Sequence, residues 1–343
     1  MKRLLACSLI ILAAALAAAC GPKTAVPQPA RFPPDDEIIA SALNYTYTWM
    51  DIPIKLQNGV YEKSSERAPI CKVLDVPRPV GALGTGDGPA RGTALALAVN
   101  TGGTGNFIFV VANYTRDGRQ YTGTNAVDFG DRNAIHNIKI VNGYIVVDYL
   151  VRKYREGMAA RPTIPVTRVL AVKNTTLTVK RHIGYLATAG TGQGTLADLR
   201  KGGLEIIKEH TRLAEFANCG KVQFTAMGYK SFKSANFYLI GKDGGILYTF
   251  PARTRSGWEF AKVRAVAFAD VNGDGLADVI IINEYSPAAG SGETGPAPCA
   301  AVHFQKDNGF VADWAFDDQL NDARRNADVK TVLEYAKGRT TQI

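Results

Sequence analysis

The sequence lacks the short signatures of common enzyme active sites. Gly-x-Ser-x-Gly, His-Glu-x-x-His and Cys-x-x-Cys do not occur in it, which removes the local evidence for serine hydrolases, zinc proteases and thiol redox proteins. Its four histidines, His136, His182, His210 and His303, are scattered without the spacing of metal ligands. The sequence therefore predicts a protein that is not an enzyme.

The apolar run near the N-terminus is too short to span a bilayer as a helix, which takes about 20 residues. Residues 4–16 follow a positively charged start and precede three alanines and Cys20. This pattern is typical of a signal peptide with a lipidated cysteine at its cleavage site. An ordinary secretory signal is the alternative, because Ala17 stands where such sites usually have leucine.

The predicted lipid anchor places the protein on a membrane of the cell envelope. Each buried methylene contributes ~0.8 kcal/mol, so two or three acyl chains on Cys20 would hold the chain there stably. We expect a signal peptide at 1–19, then Cys20 and a proline-rich flexible stalk up to residue 34. The resemblance to bacterial lipoproteins implies that Gly21, in place of an aspartate, directs the chain of a Gram-negative source to the outer membrane, facing the periplasm or the cell surface. A nucleic acid partner is not expected in that compartment, although the net charge is +9.

Three cysteines remain after the signal peptide and Cys20 are set aside. An oxidising envelope allows one disulfide among Cys71, Cys219 and Cys299. Cys219 and Cys299 both precede short strand patterns in the C-terminal region, so we expect these two to pair. Spacing alone leaves the connectivity open.

The folded part reads mainly as β-strands with a few helices, an α+β chain. Two-residue turns that favour hairpins recur along it, namely Asn58-Gly59, Asp117-Gly118, Asn142-Gly143, Asp243-Gly244 and Asn308-Gly309. Helices are expected at residues 35–43, 196–216 and 329–337. A Gly/Thr/Ala stretch at 187–195 predicts a boundary between two antiparallel β-rich domains, residues 35–187 and 196–343.

One segment carries the oxygen spacing of a calcium loop. Candidate ligands occupy positions 1, 3, 5, 7 (through the backbone carbonyl) and 9 of the segment that starts at residue 270, which are Asp270, Asn272, Asp274, Leu276 and Asp278. Position 12 is Ile281 and not the glutamate of a helical EF-hand, so the loop is expected to join two strands. A polar turn that binds no ion is the alternative.

The same residues resemble the FG-GAP and VCBS-type repeats of secreted and surface proteins. Phe268 and the loop after it match the pattern Phe-x-Asp-x-Asn-x-Asp-Gly-x-x-Asp, followed by an apolar strand. The resemblance implies that the acidic residues of the loop bind calcium in a structural capacity. A complete propeller needs several such repeats, and one intact copy is present, so a compact domain is expected instead.

Residues 45–180 resemble an uncharacterised module of envelope lipoproteins. The pattern Gly-Gly-x-Gly-x-Phe stands at 102–107, and Thr-Asn-Ala-Val-x-x-Gly-Asp-Arg stands at 124–132. Asp131 and Arg132 are expected to form an internal ion pair that fixes a turn, with ligand binding as the alternative. Relatives often carry a calcium loop ahead of this element, but here residues 82–88 keep Asp87 as their single acid, so no second calcium site is expected.

The sequence thus predicts a calcium-stabilised, non-catalytic lipoprotein that binds an envelope protein or glycan. The first alternative is an enzyme that acts on envelope polysaccharide, with carboxylates contributed by Asp128, Asp131 and Glu284. The second is a protein inhibitor of an exogenous enzyme that presents residues 286–298 as an exposed loop.

Overall fold

The computed structural model describes residues 32–62, 70–153, 156–188, 192–229, 234–254, 257–287, 295–337 and 339. The predicted signal peptide, Cys20 and all but the last three residues of the predicted stalk lie outside these ranges. Strands form most of the described residues, and four α-helices accompany them. None of these helices has the length and apolar character needed to cross a membrane.

The N-terminal half, residues 35–187, is one helix followed by thirteen strands. They are α1 (Asp35–Leu43), β1 (Thr46–Trp49), β2 (Ile52–Lys55), β3 (Val60–Tyr61), β4 (Ile70–Val73), β5 (Val80–Gly84), β6 (Pro89–Asn100), β7 (Phe107–Thr115), β8 (Tyr121–Gly123), β9 (Val127–Asp131), β10 (Ala134–Val141), β11 (Tyr144–Val151), β12 (Ile164–Lys173) and β13 (Thr176–Tyr185). The helix predicted at residues 35–43 is α1, with the predicted bounds.

The C-terminal half, from residue 196 onward, contains nine strands and three α-helices among its described residues. They are α2 (Leu196–Lys201), β14 (Leu204–Ile206), a 3₁₀ turn (Lys208–His210), β15 (Arg212–Phe216), β16 (Gly220–Tyr229), β17 (Ala235–Ile240), β18 (Ile246–Phe250), β19 (Trp258–Ala269), β20 (Asp278–Pro287), β21 (Ala297–Lys306), β22 (Gly309–Asp313), α3 (Trp314–Asp322) and α4 (Val329–Ala336).

The strands form four sheets whose strand pairs are antiparallel. A two-stranded sheet joins β1 and β2. A seven-stranded sheet has the order β3-β4-β6-β7-β8, with β5 on β6 and β9 on β7. A five-stranded sheet has the order β14-β16-β17-β18, with β15 on β16.

The fourth sheet has eight strands and belongs to both halves of the chain. Its order is β10-β11-β12-β13-β22-β21-β20-β19, so four strands come from each half. The halves meet where β13 pairs with β22, with Arg181 opposite Asp313 and Tyr185 opposite Gly309. The predicted domain boundary therefore does not divide one sheet from another, and its position stays a prediction.

Turn chemistry explains the hairpin that begins this sheet. Asn142 and Gly143 adopt φ angles of +50° and +83°, as a two-residue turn with a type I′ geometry requires. Val141 and Tyr144, on either side of the turn, face each other across β10 and β11. The hairpin predicted from Asn142-Gly143 is confirmed.

The helix predicted over residues 196–216 is wrong beyond its first turns. Thr195 caps α2 through a reciprocal hydrogen bond with Asp198, but the helix ends at Lys201. Gly203 follows with φ +88°, a conformation that a helix does not continue. Leu204 is then buried in β14, which pairs with β16. The apolar residues that suggested a helix therefore serve a sheet.

The eight-stranded sheet is the central layer of the molecule. On one face its N-terminal strands pack against the seven-stranded sheet, with Val110 and Val147 in the shared core. Its C-terminal strands pack on the five-stranded sheet, with Phe224 and Phe310 in their core. A further core that contains Val302 with residues of α3 and α4 lies on the opposite face.

The architecture confirms the predicted fold class. The chain is mainly β with a few helices, its sheets are antiparallel, and it does not form a closed propeller. Each half has cores of its own, and one shared sheet connects them.

Candidate functional site

The acidic loop at residues 270–278 joins β19 to β20. Phe268, just before the loop, packs against the core beneath the five-stranded sheet. Val271, inside the loop, is buried in the core beneath α3 and α4. Gly273 and Gly275 adopt φ +79° and +84°, a region that residues with a Cβ rarely enter. One buried side chain, one partly buried side chain and two glycines thus fix the path of the loop.

Asp270 organises the loop through its own backbone. Its Oδ1 accepts hydrogen bonds from the amides of Gly273 at 2.7 Å and Asp274 at 3.1 Å. Its Oδ2 accepts from the amide of Gly275 at 2.9 Å. An ionised carboxylate offers about four lone-pair sites, so these bonds leave Asp270 with capacity for a cation.

Asp274 lies at the centre of the polar contacts. Its Oδ1 accepts from the amide of Leu276 and its Oδ2 from the side-chain amide of Asn272, both at 2.9 Å. Lys306 Nζ is 3.6 Å from Oδ2. Partial burial acts to raise the pKa of Asp274, but these hydrogen bonds and the charge of Lys306 outweigh it and lower that pKa.

Asp278 anchors the end of the loop to the sheet. The residue is fully buried, and its carboxylate accepts from the amides of Val271 at 2.9 Å and Gln305 at 2.8 Å. Burial raises the pKa of Asp278 to about 6, and the nearby charges of Asp274 and Asp270 add to that shift. The three carboxylates are therefore close enough to interact electrostatically.

The predicted ligands come together in the loop, and all of them offer hard oxygen donors of the kind that calcium takes. Within the part of the chain that the structure describes, however, no group of three or more His, Cys, Asp or Glu side chains is placed to hold a metal ion. Calcium binding stays a prediction that the donor chemistry fits.

The predicted disulfide between Cys219 and Cys299 is wrong, since the structure holds both cysteines as thiols. Asn218, beside Cys219, donates its side-chain amide to the carbonyl of Lys306 at 2.8 Å, at the far end of β21. Cys299 lies near the start of that ten-residue strand. At ~3.3 Å per residue the separation is about 20 Å, whereas bonded cysteines have Cα atoms within about 7 Å.

Asp131 and Arg132 form the predicted internal ion pair. Arg132 Nε is 3.7 Å from Asp131 Oδ1, which also accepts from the amide of Asn106 at 2.8 Å. Arg132 donates to the carbonyl of Thr104. The pair therefore ties the glycine-rich segment at 102–107 to the end of β9.

The carboxylates of the predicted enzyme alternative are not gathered in one cleft. Asp128 lines a cleft between the two halves, but neither Asp131 nor Glu284 belongs to its described lining. Glu284, on β20, is paired with Lys262 at 3.3 Å and Arg264 at 3.2 Å. Polysaccharide hydrolysis requires two carboxyl groups about 5 to 9.5 Å apart across the bond to be broken, and this arrangement offers no support for it.

The inhibitor alternative depends on an exposed loop at residues 286–298. Residues 288–294 of this segment lie outside the described residues. The Cys219–Cys299 disulfide that would hold it rigid is not formed.

The sequence analysis did not predict the cleft that lies between the two halves. It has a volume of about 530 Å³ and lies between β9, β11 and β12 on one side and β17 and β18 on the other. Arg168 of β12 lines the cleft. Residues 164, 166 and 168 lie on the same face of this strand, because side chains alternate between its two faces, and Ile164 and Val166 also line the cleft. A charged residue in an apolar alternation is the signal that could have located this cleft.

Comparison with protein families finds one similarity. Residues 263–297 match the family model of the FG-GAP repeat. The matched segment contains the acidic loop, all of β20 and most of β19, and it ends at the first residue of β21. Comparison with curated proteins and with solved structures finds no match.

Proposed function

We propose that this chain is a non-catalytic lipoprotein of the bacterial cell envelope that binds an envelope or extracellular partner. The observation that carries the proposal is the FG-GAP match at residues 263–297, since such a repeat suggests an interaction domain of a non-catalytic family. The sequence before the described residues supports the proposed location in the cell envelope, because Cys20 follows a short apolar segment of the signal-peptide type.

We also propose that calcium stabilises the C-terminal half. Asp270, Asn272 and Asp274 would supply side-chain oxygens, Leu276 a backbone carbonyl, and Asp278 the buried anchor behind them. The cation would offset the repulsion among the three carboxylates. Extracellular sites of modest charge often bind calcium at ~10⁻⁴ to 10⁻³ M, so a structural clamp fits better than a signalling switch.

Calorimetric titration of the purified chain with calcium, together with thermal melts, tests this proposal. Asp274→Ala is the loop variant. Asp243→Ala is its matched control, because Asp243 also accepts a backbone hydrogen bond in an exposed turn of the same half, from Gly245 at 3.0 Å. We expect saturable binding and a calcium-dependent rise in Tm for the wild type and Asp243→Ala, both lost in Asp274→Ala. Binding that persists in Asp274→Ala would remove the loop from the proposal.

The interaction proposal has its own test. Photo-crosslinking from an exposed position of β19, such as Lys262, in intact cells should trap the same envelope component in repeated experiments. Crosslinking from exposed Lys55 on β2 should not trap that component if the repeat forms the binding surface. Equal yields from both positions would contradict a specific surface on the repeat.

A further inference from the structure

The cleft between the two halves has the size and position of a small-molecule site. Its volume of about 530 Å³ lies within the range of about 300 to 1,000 Å³ that is typical of ligand pockets. It opens on the face of the eight-stranded sheet where the seven-stranded and five-stranded sheets meet. No residue of the acidic loop at 270–278 belongs to its described lining, so this cleft is a separate feature.

Rigid aromatic side chains form part of its walls. Tyr149 and Phe129 line it from the N-terminal half, with their rings edge-on at 4.9 Å. Tyr248 lines it from the C-terminal half and donates its hydroxyl to the carbonyl of Phe310 at 3.3 Å. Each of these three aromatic side chains is at most 2 % exposed. Their packing fixes them in place, which limits the side-chain entropy that the protein would lose when a ligand binds.

Arg168 supplies a positive charge with an unused hydrogen-bonding edge. Its guanidinium lies over the rings of Phe129 at 4.9 Å and Tyr149 at 5.4 Å, and its Nη1 donates to the carbonyl of Asp128 at 2.7 Å. Its Nε is buried and has no hydrogen-bond partner, and Nη1 is the guanidinium nitrogen that donates to a described residue. Nε and Nη2 together form the planar fork that binds a carboxylate through two parallel hydrogen bonds.

The other charged groups at the cleft are already engaged. Arg152 donates to the carbonyls of Ala160, Asp131 and Arg132 at 2.9 to 3.1 Å. The Asp128 carboxylate accepts from the amide of Gly130 at 2.6 Å. Arg152 thus donates from all three guanidinium nitrogens, whereas Arg168 donates to described residues from Nη1 alone. One cation with a largely unused guanidinium suits a ligand with a single carboxylate.

Neutral polar groups on the opposite wall indicate the body of that ligand. Asn236 and Gln193 line the cleft, and the Gln193 carbonyl oxygen accepts from Thr249 at 2.6 Å, which leaves its amide nitrogen as a donor. Amides beside aromatic rings suit a ring that carries hydroxyl groups better than an aliphatic chain, because the chain would leave buried polar groups unpaired.

We propose that this cleft binds a sugar acid: a hydroxylated ring with one carboxylate, the carboxylate on the Nε and Nη2 edge of Arg168 and the ring between the aromatic walls and Asn236. The cleft is a second binding site, since no residue of the repeat at 263–297 belongs to its described lining, and it rests on the proposal above only in taking the chain to bind without reaction. It does not depend on calcium.

Saturation-transfer NMR and calorimetry on the purified full chain test the site with D-glucuronate as the probe. D-Glucose is the matched ligand without a carboxylate, and benzoate and hexanoate are carboxylates without hydroxyls. We expect saturable binding of glucuronate at least tenfold tighter than that of the other three. No saturable binding, or equal binding of glucose, would overturn the proposal, and tighter binding of benzoate or hexanoate would overturn its sugar part.

Variants locate the site. Arg168→Lys keeps the charge but removes the fork, so glucuronate binding should weaken at least tenfold. Arg212→Lys makes the same change at an exposed position of β15 that does not belong to the cleft lining, and it should leave binding unchanged. Asn236→Asp places a negative charge on the opposite wall and should also weaken glucuronate binding, because it repels the carboxylate. If Arg168→Lys does not fold, the Asn236→Asp variant tests the site. Unchanged binding in the folded Arg168 or Asn236 variant would overturn the proposal.

The calcium-loop variant separates the two proposals. If Asp274→Ala loses calcium binding but still binds glucuronate, the cleft stands on its own. If calcium binds and glucuronate does not, the cleft proposal fails while the calcium proposal remains.

Discussion

Arg181 and Asp313 pair across the line where the two halves of the chain share a sheet, with Arg181 Nε donating to the Asp313 carboxylate at 3.0 Å. They occupy directly opposed positions of β13 and β22. The same carboxylate caps α3 by accepting from the amides of Ala315 and Phe316, each at 3.1 Å. The Asp313 side chain therefore connects β13 of the N-terminal half to β22 and α3 of the C-terminal half.

Asp313→Ala should lower the free energy of unfolding by about 2 kcal/mol, since it removes a helix cap and a partly buried ion pair. Asp313→Asn keeps a capping oxygen and should cost about 1 kcal/mol. Asp328→Ala is the control, because Asp328 caps α4 by accepting from Thr331 without a partner in the other half, and about 1 kcal/mol is expected there as well. Urea unfolding measures all three. An Asp313→Ala cost no greater than that of Asp328→Ala would show that the ion pair does not stabilise the fold.

Gly309→Ala should be among the most damaging single substitutions at this junction. A Cβ at residue 309 would overlap the carbonyl oxygen of Gly184 on the neighbouring strand, so β13 and β22 would have to separate locally. We expect a loss of at least about 2 kcal/mol. Gly103→Ala is the control, because nothing lies within 4 Å of its added Cβ and the change should stay within about 0.5 kcal/mol. Thermal or urea unfolding compares them, and equal stability of the two variants would contradict the close approach.

His303 makes stability depend on pH. It is 1 % exposed, and burial lowers its pKa from 6.5 to about 3. Below pH 6.5 the unfolded chain binds a proton that the folded chain does not take up until about pH 3, so the stabilisation present above pH 6.5 falls as the pH is lowered. The loss from this residue at pH 5 is about 2 kcal/mol.

His303→Phe, which retains the size of the ring, should remove that loss. The difference in unfolding free energy between pH 7 and pH 5 should be about 2 kcal/mol smaller in this variant than in the wild type. His182, buried with a pKa lowered to about 3, keeps part of the wild-type dependence. His136→Gln, at an exposed position of β10, is the control and should follow the wild type. An unchanged pH dependence in His303→Phe would contradict the prediction.

Cys20 should carry lipid in the mature protein. Mass spectrometry of the N-terminal peptide should find a diacylglycerol thioether and an acylated amine on Cys20, and Cys20→Ser should move the chain from the detergent phase to the aqueous phase. Cys7→Ser, inside the predicted signal peptide, is the control and should still partition with detergent. A mature N-terminus with an unmodified Cys20 thiol would favour the ordinary secretory signal.

Local chemistry made much of the fold predictable. The Asn142-Gly143 turn sets its own hairpin, because its positive φ angles match the twist of the strands beside it. The apolar strand after Asp278 and the helix at 35–43 also follow from short-range patterns. The prediction of a helix at 196–216 was wrong because the helix ends before Gly202-Gly203, and the strands that follow pair with β16 instead.

Long-range pairing was beyond the sequence. Nothing in residues 176–185 indicates that β13 will adjoin β22, so the shared sheet and the cleft above it could not be foreseen. The loop ligands were found because they are contiguous, whereas Arg168 meets Tyr248 and Asn236 through tertiary packing. The disulfide prediction failed for the same reason, because the position of Cys219 along β21 depends on tertiary packing and not on the local sequence.

The order of strands in the shared sheet bears on the chain while it is being synthesised. β22 is the last strand among the described residues, and it is the partner that covers the outer edge of β13. While the chain is being synthesised, β10 to β13 can pair by hairpins, but that edge stays open until residues 309–313 arrive. An open edge offers hydrogen bonds to any passing strand. A chain interrupted before residue 309 would therefore keep an edge on β13 that can pair with a strand of another chain and so promote aggregation.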